Sequence, residues 1–161
     1  MTTSTKPTPV SIRLATAADR EFLTGIADRL ADFAHPAWRT REEIADGDRR
    51  ALIEALDHPA ADRDLFVAEL DGTRAGCLLM WTLEDYFAHI RHAHVSVLAV
   101  TRDAEGRGVG RTLMDFAERW ARDRGHHRIT LNVFDSNHRA RTLYERTGYA
   151  PETRRYVKEL G

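Results

Sequence analysis

The chain has 161 residues, 42% of them hydrophobic and 30% charged, with a net charge of −1. That length fits one domain with enough apolar material for a core, and the near-neutral balance excludes a global basic field for nucleic acid or an anionic membrane. No apolar run approaches the ~20 residues that span a bilayer, and the single cysteine, Cys77, excludes an internal disulfide and suits a reducing, cytoplasmic compartment.

Residues 1–9 are rich in Thr and Pro and lack the apolar stretch of a signal peptide, so they read as a disordered tail ahead of a single domain, 10–161. Val10, Ile12 and Leu14 alternate with polar residues as a first strand. Thr16 or Asp19 can cap the helix that follows, with Phe22, Leu23, Ile26, Ala27, Leu30 and Ala31 on its buried face and His35-Pro36 as its stop. Thr40 and Glu43 have capping-box spacing and open a second helix through Leu56, which Gly47 threatens to break.

Residues 65–70 and 74–82 read as two strands joined by a hairpin turn at Asp71-Gly72. Residues 83–91 are expected to form a loop, with room for one helical turn, before a buried strand at 95–100. A bend with Gly106, Gly108 and Gly110 then leads into a helix whose apolar face is Val109, Leu113, Phe116, Ala117, Trp120 and Ala121, stopped by Gly125. A strand at 128–134, a short helix at 137–147 ended by Gly148, and a last strand at 152–159 complete the chain. The order predicts an α/β (α+β) fold, a mixed sheet with helices on both faces.

The glycine bend sits where a strand hands over to a helix. The first N–H groups of a helix lack internal partners and carry the positive end of its dipole, so such a bend suits a phosphate or simply a left-handed turn. Arg107 and Arg111 add positive charge. No Lys follows in P-loop spacing, and Gly106-x-Gly108-x-Gly110 is not the dinucleotide fingerprint, which disfavours a nucleotide- or NAD-binding domain. No Cys/His cluster has metal-ligand spacing, so no metal is expected.

Two segments together resemble the GNAT superfamily of acetyl-CoA-dependent N-acetyltransferases. The first is Leu98-Ala-Val with Glu105-Gly-Arg-Gly-Val-Gly110. The second is Asn137-x-x-Ala140-x-x-Leu143-Tyr144-x-x-x-Gly148-Tyr149. The resemblance implies the acyl-CoA N-acyltransferase fold, a mostly antiparallel central sheet with splayed central strands, and acetyl-CoA as cosubstrate. It places the diphosphate on the amides of Gly106, Arg107, Gly108, Val109, Gly110 and Arg111, and the pantetheine arm along Leu98, Ala99 and Val100. Asn137 would bond the cofactor arm, and Tyr144 would protonate the departing thiolate. A core tyrosine and a helix cap are the plain alternatives for these two.

The sequence departs from the family pattern twice. Glu105 stands where Arg or Gln is common and is expected to point to solvent. Ser96-Val97 lacks the acidic residue that often serves as base. His94 is the substitute, beside Glu84, Asp85 and His92; polar residues at a strand entrance are the plain alternative for the histidines. The acceptor pocket is expected among Phe33, His35, Trp38, Glu84, Asp85, Tyr86 and Phe87. Cys77 lies in an apolar strand and reads as inert, which favours direct attack of a small-molecule or peptide amine in a ternary complex. The alternative is a non-catalytic acyl-CoA sensor or scaffold. Beyond the acceptor the only partner expected is a second copy in a homodimer, with no nucleic acid and no membrane.

Overall fold

The computed structural model describes residues 9–161, so the tail expected at the N-terminus lies outside the described residues except for Pro9. Five strands, β1 (Val10–Leu14), β2 (Arg63–Leu70), β3 (Thr73–Glu84), β4 (Arg91–Val100) and β5 (Ile129–Leu131), form one sheet in chain order. The first four are antiparallel and β5 joins β4 in parallel. A parallel neighbour needs a crossover, and helix α3 (Val109–Asp123) supplies it.

Each inner strand is covered on both faces, which is why 65–68 and 77–80 are unbroken apolar runs. On one face α1 (Arg20–Ile26) and α2 (Arg41–Asp57) bury Leu23, Ile26 and Leu52 against Val67, Cys77, Val97 and Ala99. On the other, α3 buries Val109, Leu113, Met114 and Trp120 against Phe66, Leu78, Met80 and Val95. The fourth helix, α4 (His138–Arg146), sets Tyr144 against that second layer.

Local signals held in most elements. Thr40 Oγ1 accepts the Glu43 N–H at 3.1 Å while the Glu43 carboxylate accepts the Thr40 N–H at 2.8 Å. Helix α2 runs unbroken through Gly47. Asp71 and Gly72 both have positive φ, the geometry of a tight hairpin turn.

Three expectations are corrected. The first helix ends at Ile26 and continues only as a 3-10 turn, Ala27–Ala31. The strand expected at 128–134 is three residues long. Residues 152–159 form no strand and are exposed: a strand needs a partner edge, and β5 offers only three residues. No helix among the described residues is long and apolar enough to cross a membrane.

Candidate active site

The sheet opens where β4 and β5 part. They pair only at Ala93–Ile129, His94–Thr130 and Val95–Leu131. At that point β4 carries a bulge: Val95 faces Met80 and Val97 faces Leu79, leaving Ser96 as the extra residue. The bulge changes the phase of the strand. Before it, the Ala93 N–H points to β5 and donates to the Arg128 carbonyl at 3.0 Å. After it, the Thr101 N–H donates to the Ala75 carbonyl at 2.8 Å, which makes Val100–Gly76 and Leu98–Leu78 the pairs without mutual hydrogen bonds. The backbone groups of Leu98 and Val100 therefore face away from β3, into the gap that β5 has left. Those of Ala99 face β3. Arg29 Nε–H donates to the Val100 carbonyl at 3.2 Å.

The gap leads to the glycine bend. Gly108 caps α3 at φ 82°, ψ 6°, a left-handed conformation that strains any residue with a Cβ. The first helical bond is from the Thr112 N–H to the Gly108 carbonyl, so the N–H groups of Val109, Gly110 and Arg111 have no acceptor within the helix. A Cβ on Gly110 would lie 3.7 Å from Val100 and 3.9 Å from Leu143, which seats this helix start between the end of β4 and α4. Arg107 differs from the expectation. Its N–H is used by the Ala104 carbonyl at 3.3 Å, and its guanidinium reaches Asp71 at 3.3 Å, away from the helix start.

Glu105 does not point to solvent. It is ion-paired to Arg29 and Arg139, joining the turn after α1, the glycine bend and α4. Partial burial works against its charge, but hydrogen bonds from Arg139 and Arg29 win and hold its pKa below the usual carboxylate value. Two guanidiniums thus neutralise a negative charge that a diphosphate would otherwise meet.

On α4, Asn137 caps the helix: its side-chain oxygen accepts the Ala140 N–H at 3.2 Å. Tyr144 is half-buried against the layer containing Leu98, Val100 and Leu131, edge-on to Tyr149 at 6.0 Å. Burial raises its pKa above the ordinary phenol value, so it holds its proton at neutral pH. His94 lies within 2.8 Å of Thr130 Oγ1 at the point where the strands part. Burial, then the nearby His92, lowers its pKa, so it is neutral at pH 7.

Of the other base candidates His92 is buried two residues away on β4, and Glu84 and Asp85 sit elsewhere. Glu84 meets His89 at 2.9 Å, and Asp85 accepts the N–H groups of Phe87 and Ala88 at the tip of the β3–β4 hairpin. That tip lies beyond Arg91, seven residues or roughly 23 Å along β4 from Leu98. Tyr86 and Phe87 are there too, 84% and 80% exposed, so they line no pocket at the gap. Cys77 is fully buried, and burial pushes its thiol up to about 12, which makes a thiolate nucleophile inaccessible at neutral pH.

Two residues escaped the sequence reading. Phe134, just after β5, stacks on Phe33 with ring centres 5.1 Å apart. With Arg39, Glu43, Ile44, Gly47 and Asp48 it lines a cavity of about 200 Å³ beside α2. Asp48 had a signal: it interrupts the Ile44-x-x-x-Asp48-x-x-x-Leu52 stripe with a carboxylate where apolar residues are expected. A larger hollow of about 480 Å³ lies near Phe22 and the β2–β3 turn.

Comparison with known proteins gives a consistent picture. The model of the acetyltransferase (GNAT) family matches residues 26–149. A mycothiol acetyltransferase of Beutenbergia cavernae is 47% identical over 57 residues, 35% of this chain and 19% of that protein. A Bacillus subtilis protein described as a ribosomal protein bS18-alanine N-acetyltransferase is 31% identical over 98 residues, covering 61% of this chain and 60% of the relative. The chain thus spans from about a fifth to 60% of these relatives' lengths. A crystal structure of an aminoglycoside N-acetyltransferase in complex with CoA shares the fold, with a TM-score of 0.68 at 18% identity over 98% of this chain and 97% of that one.

Proposed function

Because this chain belongs to the acetyltransferase (GNAT) family, we propose that it moves the acetyl group of acetyl-CoA to a primary amine by direct attack in a ternary complex. The observation that carries the reading is the gap itself. It offers unpaired N–H groups of Leu98 and Val100 and, beyond the end of β4, a bare helix start at Val109 to Arg111, with Tyr144 packed on the same sheet layer.

The fit to acetyl-CoA is physical. An extended pantetheine arm can pair with the free edge at Leu98 and Val100 as an added strand. The α3 start offers convergent N–H groups and the dipole's positive end to a diphosphate, while Glu105 is screened by Arg29 and Arg139. An N–H of the edge donates to the acetyl oxygen as negative charge develops there. As the amine nitrogen bonds to the carbonyl carbon, the carbon–sulfur bond breaks and the thiolate takes the Tyr144 proton. Neutral His94 accepts the amine's surplus proton and passes it to solvent, and solvent returns a proton to the Tyr144 phenolate. Asn137 holds the turn that aims α4 at the gap, which agrees with a cap and leaves its NH2 group free for the arm.

Relatives named for acetylating an aminoglycoside and a ribosomal-protein alanine mark the range of acceptors: a small polyamine-like molecule or a peptide terminus. The test is thiol release from acetyl-CoA against amino sugars, aminoglycosides, alkyl diamines and alanyl peptides, with mass spectrometry of the N-acetyl product. Tight CoA binding with no amine-dependent thiol release would favour the scaffold reading instead.

A further inference from the structure

We propose that the Asp48 carboxylate is the anionic anchor of the acceptor pocket, receiving a cationic ammonium group of the amine substrate. The inference rests on the acetyltransferase reading and adds the residue that selects a charged acceptor.

The placement comes first. Asp48 lies one helical turn before Leu52, which packs on Cys77, Val97 and Ala99. Its charge is felt at the Cys77 thiol, and Cys77 is the direct cross-strand partner of Ala99. Asp48 is thus on the sheet face that α2 covers, near the Cys77–Ala99 pair. Phe134, three residues after β5, lines the cavity opposite α2, so the space lies between that helix and the segment leaving β5.

The chemistry comes second. Among the described residues Asp48 makes no ion pair or hydrogen bond, and burial alone pushes its pKa up to about 6. The charged groups near it are otherwise committed or too distant to neutralise it. Glu43 is held by the Thr40 N–H, and Arg49 by Asp46, Asp28 and the Thr24 carbonyl. Arg39 lines the rim without reaching ion-pair distance, and the Cys77 thiol beneath is neutral. A half-buried carboxylate without a protein partner gains from a cation supplied by a ligand. The Phe33–Phe134 pair adds aromatic surface suited to the same charge. About 200 Å³ is the space of roughly seven waters, enough for an aminoalkyl arm or one terminal residue.

The experiment compares the full chain with Asp48→Asn, which keeps the side chain's shape. Its expected result is a KM at least tenfold higher for alkyl diamines and aminoglycosides, with the Kd for acetyl-CoA unchanged. The wild-type KM for the diamine should rise as pH drops through about 6; that rise should vanish in Asp48→Asn and persist in His94→Gln. A neutral arylamine should be acetylated equally by both proteins. The variant should fold at least as well, because it removes a desolvated charge; thermal unfolding checks this. If wild type releases thiol with amines and Asp48→Asn keeps both its KM and the rise of KM in acid, the anchor role is overturned. If wild type acetylates none of them, the acetyltransferase reading fails separately. Calorimetry of the same diamines against the CoA complex then decides: binding lost in Asp48→Asn supports the anchor, and equal or absent binding overturns it.

Discussion

Gly108→Ala tests the proposed diphosphate site, with Gly125→Ala as its matched control. Both glycines sit in the left-handed region, at φ 82° and 75°, and a Cβ built on either meets no atom within 4 Å. The two substitutions therefore carry the same backbone strain and no packing clash, a loss of about 1 kcal/mol each. For a chain of this size that lowers Tm by roughly 2–4 °C. Gly125 ends α3 and Gly108 begins it, so the two lie at opposite ends of a 15-residue helix, roughly 23 Å apart. Only at Gly108 would the methyl group crowd a ligand held by the helix start. A loss of about 1.4 kcal/mol in binding corresponds to a tenfold weaker Kd. Calorimetric titration with CoA should show at least that loss for Gly108→Ala and none for Gly125→Ala. Equal affinities in the two variants, with equal Tm shifts, would refute the bend as the diphosphate site.

Tyr144→Phe should lower kcat by 100-fold or so while leaving the Kd for acetyl-CoA within about twofold, the signature of a lost general acid; unaltered turnover would remove that role. His94 has a lowered pKa, so its base form is present at neutral pH and is lost as pH falls through that value. His94→Gln should therefore depress kcat at pH 7 and flatten the most acidic part of its pH profile, measured as thiol release. Asp19 is fully buried between Arg13 and Arg74, and accepts the Thr16 N–H at 2.8 Å. Asp19→Asn should cost about 3 kcal/mol by taking the charged partner from Arg74 and leaving Arg13 only Glu69, read by urea unfolding. The hydrogen bond from Arg13 holds the Asp19 pKa well below the usual carboxylate range. Its contribution is thus complete above about pH 4 and is lost as pH falls further, so the wild-type and variant stabilities should converge in acid.

Local chemistry wrote much of this fold into the chain. Capping at Thr40, the Asp71-Gly72 turn, the glycine bend and the stop at Gly125 each depend on residues within a few positions of one another, and each is found where it was expected. The apolar runs of β2 and β3 likewise announce strands buried on both faces, because every side chain there meets a helix layer. Tyr144 and Asn137 could be placed on one short helix from their spacing alone.

Tertiary structure decided what a local pattern cannot encode. The Ser96 bulge turns the Leu98 and Val100 amides toward the gap, and it exists only in the register between β4 and β3. Glu105 finds Arg29 across 76 positions and Arg139 across 34, so its orientation depends on the packing of three separate segments. The strand foreseen at 152–159 had the right composition but no edge to join. The Asp48 cavity needs α2 and the segment after β5 to close on each other. Backbone propensity and capping act within a turn or two of chain, whereas register, ion pairing and cavities are set by groups that meet only once the layers pack.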